Sequence, residues 1–277
     1  MQQNAPIKLI HGWGMNRQVW ADFIEQAPHA LSDRIECLDL PGYGNNDYMP
    51  PTYDLTQLTD WLEQQIDQPS HIIGWSLGGL LALNLALRTD PSETSNILSV
   101  GLVASTPKFL AESSWPGIQP NVLDGFFQAL NTDHNKTIEQ FLKIQALGSP
   151  NVRSDIKALK NRLFSVPAPQ PVALVEGLKL LQTVDLRQQL AQLEQFEQRN
   201  PNLSSSLEPL TFQRPLPPPL QIKALFGRLD TLVPINAVAE IKKLSSRMEI
   251  EICENSSHAP FISEPTRFEE WLTRCFS

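Results

Sequence analysis

A short apolar run, His71-Ile72-Ile73, leads into Gly74-Trp75-Ser76-Leu77-Gly78. A helix-forming stretch follows through Leu80, Leu81, Ala82, Leu83, Leu85, Ala86 and Leu87. A strand, a Gly-x-Ser-x-Gly turn and a helix in that order constrain the fold more than any other feature of the chain. Small residues flank the serine because the turn is sharp and strained. Bulk at Gly74 or Gly78 would collide with neighbouring backbone. The turn lifts the Ser76 hydroxyl above the sheet, over a helix N-terminus that favours negative charge. Five residues can match by chance, so the reading needs partners elsewhere.

A serine hydroxyl is a poor nucleophile until a base takes its proton, commonly a histidine oriented by a carboxylate. After such a turn the chain order is Ser, then Asp or Glu, then His. Of five histidines, only His134 and His258 lie downstream. His134 falls in the polar Asn131-Thr132-Asp133-His134-Asn135-Lys136 and reads as a solvated loop residue before a helix. His258 falls in Asn255-Ser256-Ser257-His258-Ala259-Pro260-Phe261, directly after the strand-like Met248–Ile252, where a base would be presented. Asp230 is the expected acid. It follows the buried strand pattern Leu220–Phe226 and precedes Pro234, which suits the first turn of a helix. It also reads as a helix cap, and the two roles are compatible. Asp39 precedes the serine and is expected to be structural.

Acyl transfer also needs donors for a developing oxyanion, one being the backbone N–H after the nucleophile, here Leu77. The other is expected from the loop after an early strand. Ile7-Lys8-Leu9-Ile10 is followed by His11-Gly12-Trp13-Gly14, which makes Trp13 the second donor and places its indole against the acyl site. His11 reads as a loop brace, and His29 and His71 carry no special reading. These parts predict an α/β-hydrolase fold, a mostly parallel doubly wound sheet, with Ser76, Asp230 and His258 as its catalytic triad.

The 277 residues suffice for one large core. No basic-plus-apolar leader is present. The longest apolar stretch is interrupted by Ser76, Asn84 and Arg88 and falls short of the ~20 residues of a membrane span, so a cytoplasmic protein without a membrane partner is expected. Cys37, Cys253 and Cys275 lack zinc or redox spacing, so no metal site is expected. A net charge of −8 argues against a nucleic-acid partner. No Gly-rich phosphate-binding pattern appears, and a serine mechanism requires no cofactor. A monomer is expected.

Strand and helix patterns alternate as far as Leu98–Ala104. From about 106 to 187 helical stretches prevail: Asn121–Leu130, Lys136–Leu147, Val152–Phe164 and Val172–Leu181. The expected organisation is a hydrolase core of residues 1–105 and 188–277 with a helical cap, 106–187, inserted into it. A Pro/Ser-rich stretch, 194–219, reads as a long exposed loop that cannot build a packed element. In the cap, Lys136, Lys143, Arg153, Lys157, Lys160 and Arg162 stand against Glu139 and Asp155 alone, a local excess of +4. Arg153, Lys157 and Lys160 fall on one helical stripe. This is either an ordinary solvated face or a landing site for an acidic partner.

Six segments carry a closer likeness: His11–Gly14, Asp39–Gly44, Gly74–Gly79, Trp115-Pro116-Gly117-Ile118, Thr183-Val184-Asp185-Leu186-Arg187 and His258–Ser263. Together the chain resembles the pimeloyl-[acyl-carrier protein] methyl ester esterases of biotin synthesis, over nearly its whole length. The resemblance implies hydrolysis of a methyl ester on a pimeloyl chain borne by an acidic carrier protein that docks on basic cap residues. Lys136, Arg153, Lys157 and Lys160 resemble those docking positions, whereas Gln140 stands where an arginine is expected. Phe141 resembles an aromatic lining the acyl channel and also fits the helix core beside Ile138 and Leu142. The chain departs from the family in starting close to its first strand and in its long 194–219 segment. The rival readings are a broad short-chain carboxylesterase with no carrier partner and a catalytically silent binding protein of the same fold.

Overall fold

The computed structural model describes residues 4–89, 95–145, 152–199 and 220–276. Six strands, β1 (Ile7–Ile10), β2 (Ile35–Leu38), β3 (Ser70–Trp75), β4 (Ile97–Val103), β5 (Gln221–Gly227) and β6 (Glu249–Cys253), make one parallel sheet in the order β2-β1-β3-β4-β5-β6. Every residue of β1 and β3 is buried, as expected of parallel strands covered on both faces.

The helices of the first half are α1 (Ala21–Gln26), α2 (His29–Ser32), α3 (Leu55–Gln64) and α4 (Leu77–Arg88). Between β4 and β5 run α5 (Pro120–Leu130), α6 (His134–Gln145), α7 (Val152–Leu163), α8 (Pro171–Thr183) and α9 (Arg187–Arg199). The chain closes with α10 (Ala237–Leu244), α11 (Pro260–Ser263) and α12 (Pro265–Cys275). Helix α4 is buried from Leu77 to Ala86. It is apolar all round because it lies centrally against β3 and β4 rather than at the surface.

The strand order reverses between β1 and β3, since β2 lies on one side of β1 and β3 on the other. Ligands in parallel α/β sheets bind beyond the strand carboxyl ends at such a switch point. Registers Ile10↔Gly74 and Trp75↔Val103 set the loops after β1 and β3 side by side there.

Three sequence expectations need correction. The segment from Glu194 does not open as a loop: α9 continues to Arg199, and residues 200–219 lie outside the described residues. Five of its first six positions are helix-favouring Glu, Gln and Arg, obscured by the proline content further on. The Glu194 carboxylate accepts from Ser245 Oγ at 3.2 Å and Ser246 Oγ at 2.5 Å, which ties α9 to the end of α10. Pro234 is not in a first helical turn. It lies in the preceding turn, its carbonyl accepting from Ala237 N at 2.8 Å, and α10 starts at Ala237. His134 is the first residue of α6 rather than a loop residue.

Among the described residues no helix is long and apolar enough to cross a membrane, and no cluster of His, Cys, Asp or Glu could hold a metal.

Two buried histidines make stability depend on pH. His71, at the start of β3, forms a 2.7 Å hydrogen bond between its Nδ1 and Ser99 Oγ and packs on Phe276. Burial, reinforced by Arg34 and Lys223, lowers its pKa from 6.5 to about 4. Burial likewise lowers His11 to about 4. Both stay neutral in the folded chain while the unfolded chain takes up protons first. Their stabilisation is therefore complete above pH 6.5 and lost as pH falls from 6.5 towards 4, at about 2 kcal/mol per histidine by pH 5. The urea midpoint should be level from pH 7 to 8 and fall clearly by pH 5; equal midpoints at pH 7 and 5 would contradict this.

Candidate active site

Ser76 sits between β3 and α4 at φ 54°, ψ −117°, a conformation that side chains other than glycine seldom adopt. Surrounding bonds hold it there. Ser76 N donates to Val103 O at 3.0 Å, and its carbonyl accepts from Leu80 N at 3.1 Å and Ser105 Oγ at 2.9 Å. A Cβ at Gly74 would lie 2.1 Å from Gly78 O, and one at Gly78 would lie 2.6 Å from the carbonyl oxygens of His11 and Ile10. The glycines thus allow β3, α4 and the loop after β1 to meet closely enough to set the serine.

The carboxyl ends of β5 and β6 supply the other two groups. Arg228 N donates to Cys253 O at 2.9 Å and Leu229 N to Ser256 O at 2.8 Å, joining the loops after the two strands. Trp75 Nε1 donates to His258 O at 2.7 Å, fixing the second loop to β3. Behind it Phe261 packs on Trp75 and Trp20, at centroid distances of 5.0 and 4.2 Å. His258 Nδ1 lies 2.8 Å from Asp230 Oδ2 and its Nε2 2.9 Å from Ser76 Oγ. Asp230 Oδ1 accepts from the N–H groups of Leu232 and Val233 at 2.8 and 3.0 Å. The aspartate therefore caps a turn with one oxygen and meets the imidazole with the other. A carboxylate on Nδ1 requires the hydrogen there, leaving Nε2 to accept the serine hydroxyl hydrogen. Exposures of 1%, 0% and 5% for Ser76, His258 and Asp230 put all three out of bulk water. The arrangement can draw a proton from Ser76 to His258 and stabilise the resulting charge.

The loop after β1 lies against this chain of bonds: a Cβ on Gly12 would stand 3.0 Å from the Ser76 Cβ. Neither the Trp13 nor the Leu77 backbone N–H has an acceptor among the described residues. His11 braces the loop as expected, with Nδ1 2.8 Å from Gly12 O and Nε2 accepting from Leu40 N at 3.0 Å. Asp39 is structural too, its carboxylate accepting from Arg17 N at 2.7 Å and Asn45 N at 3.1 Å.

The helices after β4 cover the site. Phe141 of α6 is buried, edge-on to Trp13 at 4.9 Å and to Phe126 at 5.2 Å. It thus serves the helix core and faces the loop after β1 at once. One turn further along α6, Gln145 is 2% exposed and neither amide atom has a hydrogen-bond partner among the described residues. A buried amide normally finds one; only its place four residues after Phe141 could have marked it in the sequence.

Of the basic residues, Lys136, Arg153 and Lys157 are exposed and have no carboxylate partner among the described residues. Lys160 pairs with Glu139 at 2.6 Å, and Arg162 turns to Asp22 and Glu25, at 2.7 and 2.6 Å, on the opposite wall. Of the stripe Arg153, Lys157 and Lys160, only Lys160 has a carboxylate partner among the described residues. Gln140 is exposed beside Glu139.

A parallel sheet with a strained serine turn at its switch point and an Asp–His pair on later strand ends is the arrangement of an α/β-hydrolase. A model of the alpha/beta hydrolase family matches residues 9–271. The chain is 40% identical over 97% of its length to the pimeloyl-[acyl-carrier protein] methyl ester esterase of Aeromonas salmonicida (strain A449), covering 94% of that protein. To the enzyme of that name from Vibrio vulnificus (strain CMCP6) it is 38% identical over 96% of the chain, covering 92% of the relative. The chain belongs to the pimeloyl-[acyl-carrier protein] methyl ester esterase family of α/β-hydrolases. Among solved structures, an esterase from Exiguobacterium antarcticum superposes with a TM-score of 0.74 at 20% identity, covering 98% of this chain and 91% of that one. A bromoperoxidase from Bacillus anthracis has the same TM-score at 16% identity, covering 97% and 90%. At those identities the likeness concerns the fold alone.

The close approach at the turn predicts a large penalty for Gly74→Ala. The added methyl meets backbone that cannot withdraw, so the variant should lose at least about 3 kcal/mol or fail to accumulate as soluble protein. Chemical denaturation decides it, and a loss under about 1 kcal/mol would contradict the packing described here.

Proposed function

We propose that this chain hydrolyses the methyl ester of pimeloyl-[acyl-carrier protein], releasing methanol and the free pimeloyl carboxylate in biotin synthesis. The observation that carries the reading is the continuous Ser76–His258–Asp230 bond chain, in a chain whose relatives at 38–40% identity bear that name. As a member of this family the chain is a carboxylic ester hydrolase.

Ser76 Oγ attacks the ester carbonyl carbon as His258 Nε2 takes the hydroxyl proton. The carbonyl oxygen becomes an oxyanion held by the Trp13 and Leu77 N–H groups. Collapse breaks the bond to the methoxy oxygen, which leaves as methanol with the proton from His258. Water then attacks the acyl-enzyme, giving its proton to His258, and Ser76 departs with that proton. Asp230 keeps the imidazole in the required tautomer throughout and stabilises its cationic form. No metal or organic cofactor enters these steps.

Residues 106–187 act as a cap over the acyl chain. Phe141 lines the channel, and the Gln145 amide is available to a polar atom of the bound chain. Lys136, Arg153 and Lys157 form the landing face for the acidic carrier, with Lys160 contributing once Glu139 releases it. Exposed pairs contribute only ~0–1 kcal/mol each, so the face acts chiefly on association rate and partner choice.

Ser76→Ala should abolish turnover with the melting temperature nearly unchanged, and substantial residual activity would defeat the mechanism. Asp230→Asn should lower kcat on the order of 10³–10⁴-fold through loss of the tautomer. A steady-state comparison of methyl-pimeloyl carrier protein with a nitrophenyl ester tests the substrate. Arg153→Glu with Lys157→Glu should raise KM at least about tenfold for the carrier substrate and leave the small ester unaffected. Equal effects on both substrates, or activity on the small ester alone, would favour a general carboxylesterase.

A further inference from the structure

Tyr43, in the loop after β2, is fully buried and has no part in the chemistry above. Its ring stands edge-on to the His11 imidazole at 5.1 Å, and its hydroxyl donates to Ala173 O of α8 at 3.1 Å. Gly14 follows Trp13 directly and sits at φ +72°, a conformation that only glycine takes readily. Trp13 and Gly14 belong to the loop that the Tyr43 ring supports through His11, and the Trp13 amide has no acceptor among the described residues.

Helix α8 presses on the same group of residues from above. Trp13 Nε1 donates to Leu174 O at 2.7 Å, and Gln170 N to Gly42 O at 2.8 Å. A Cβ on Gly177 would stand 3.0 Å from Trp13 Cδ1, 3.3 Å from Tyr43 Oη and 3.4 Å from Leu77 Cδ2. One turn of α8 therefore rests on both residues whose amides are assigned to the oxyanion and on the phenol between them.

We propose that Tyr43 is a positioning residue for the oxyanion loop, coupling the seating of cap helix α8 to the orientation of the Trp13 amide. The inference rests on the assignment of Trp13 and Leu77 as oxyanion donors and does not depend on the carrier. Lifting α8 removes the acceptor of the Tyr43 hydroxyl and that of the Trp13 indole together. The oxyanion site is complete only beneath a seated cap.

The test uses Tyr43→Phe and Gly177→Ala with nitrophenyl acetate as substrate. Calorimetry adds the affinity for a trifluoromethyl ketone, whose serine adduct places an oxyanion on the two amides. Tyr43→Phe keeps the ring against His11 and loses only the hydroxyl. It should lower kcat and ketone affinity alike by about 10- to 100-fold, with KM within about twofold. Gly177→Ala retains every hydrogen-bonding group and should give the same pattern by displacing Trp13, which keeps the test open if Tyr43→Phe folds poorly. Wild-type kcat in both variants overturns the proposal, and so does lower activity with unchanged ketone affinity, the mark of a merely structural loss. A wild type active on the acetate but inert to methyl-pimeloyl carrier protein defeats the carrier assignment alone.

Discussion

Three pieces of backbone meet at Ser76 at distances that leave no space for a Cβ: the end of β3, the first turn of α4 and the loop after β1. That crowding holds the serine in its strained conformation, and other features of the site follow from it. The hydroxyl is carried clear of the sheet, the Leu77 amide stands at the buried N-terminus of α4, and Gly12 lies beside the nucleophile. Strain of order 1–3 kcal/mol at such a residue persists only where surrounding structure over-determines it. Here the bonds from Ser76 N to Val103 and from Ser105 and Leu80 to the Ser76 carbonyl do so.

The insertion is anchored by interactions of very different kinds. At its base, Leu186 N donates to Pro107 O at 2.9 Å, and Lys108 lies 3.3 Å from Asp185 and 2.9 Å from Glu112. Arg187 reaches Asp185 at 2.6 Å and stacks over Trp115, whose indole N–H donates to Lys108 O at 2.8 Å. Hydrogen bonds from Arg187, and to a lesser degree Lys108, lower the Asp185 carboxyl to about 2. This partly buried network draws the two connections of the insertion together. Arg162, on Asp22 and Glu25, is an exposed tether of small worth. The buried contacts of α8 with Trp13 and Tyr43 bear on the chemistry because they adjoin the oxyanion loop.

Much of this was legible from local chemistry. The Gly-x-Ser-x-Gly turn, the placement of Asp230 and His258 after strand patterns, and the bracing role of His11 follow from residue type and chain order. The four helices from Pro120 to Thr183 were visible in their periodicity to within a few residues. The prolines after Arg199 mask the helix-forming composition of Glu194–Arg199, and Pro234 occupies a turn ahead of α10 because a proline suits either place. The pairing of Lys160 with Glu139, and of Arg162 with Asp22 and Glu25 of α1, is decided by helix packing and has no signature in the sequence.

By itself the sequence determined which groups could do chemistry and in what order the chain presents them, since strand, turn and helix propensities act over a few residues. The folded chain alone decided which groups meet. Asp230 and His258 are 28 residues apart, and His258 and Ser76 182, yet the imidazole touches both within 2.9 Å. Parallel registry and the strand-order reversal bring those loops to one end of the sheet. Tyr43 looked unexceptional in its Pro-Gly-Tyr-Gly setting. Its place beneath α8 depends on packing between segments 130 residues apart, and no local pattern encodes a contact made across that distance.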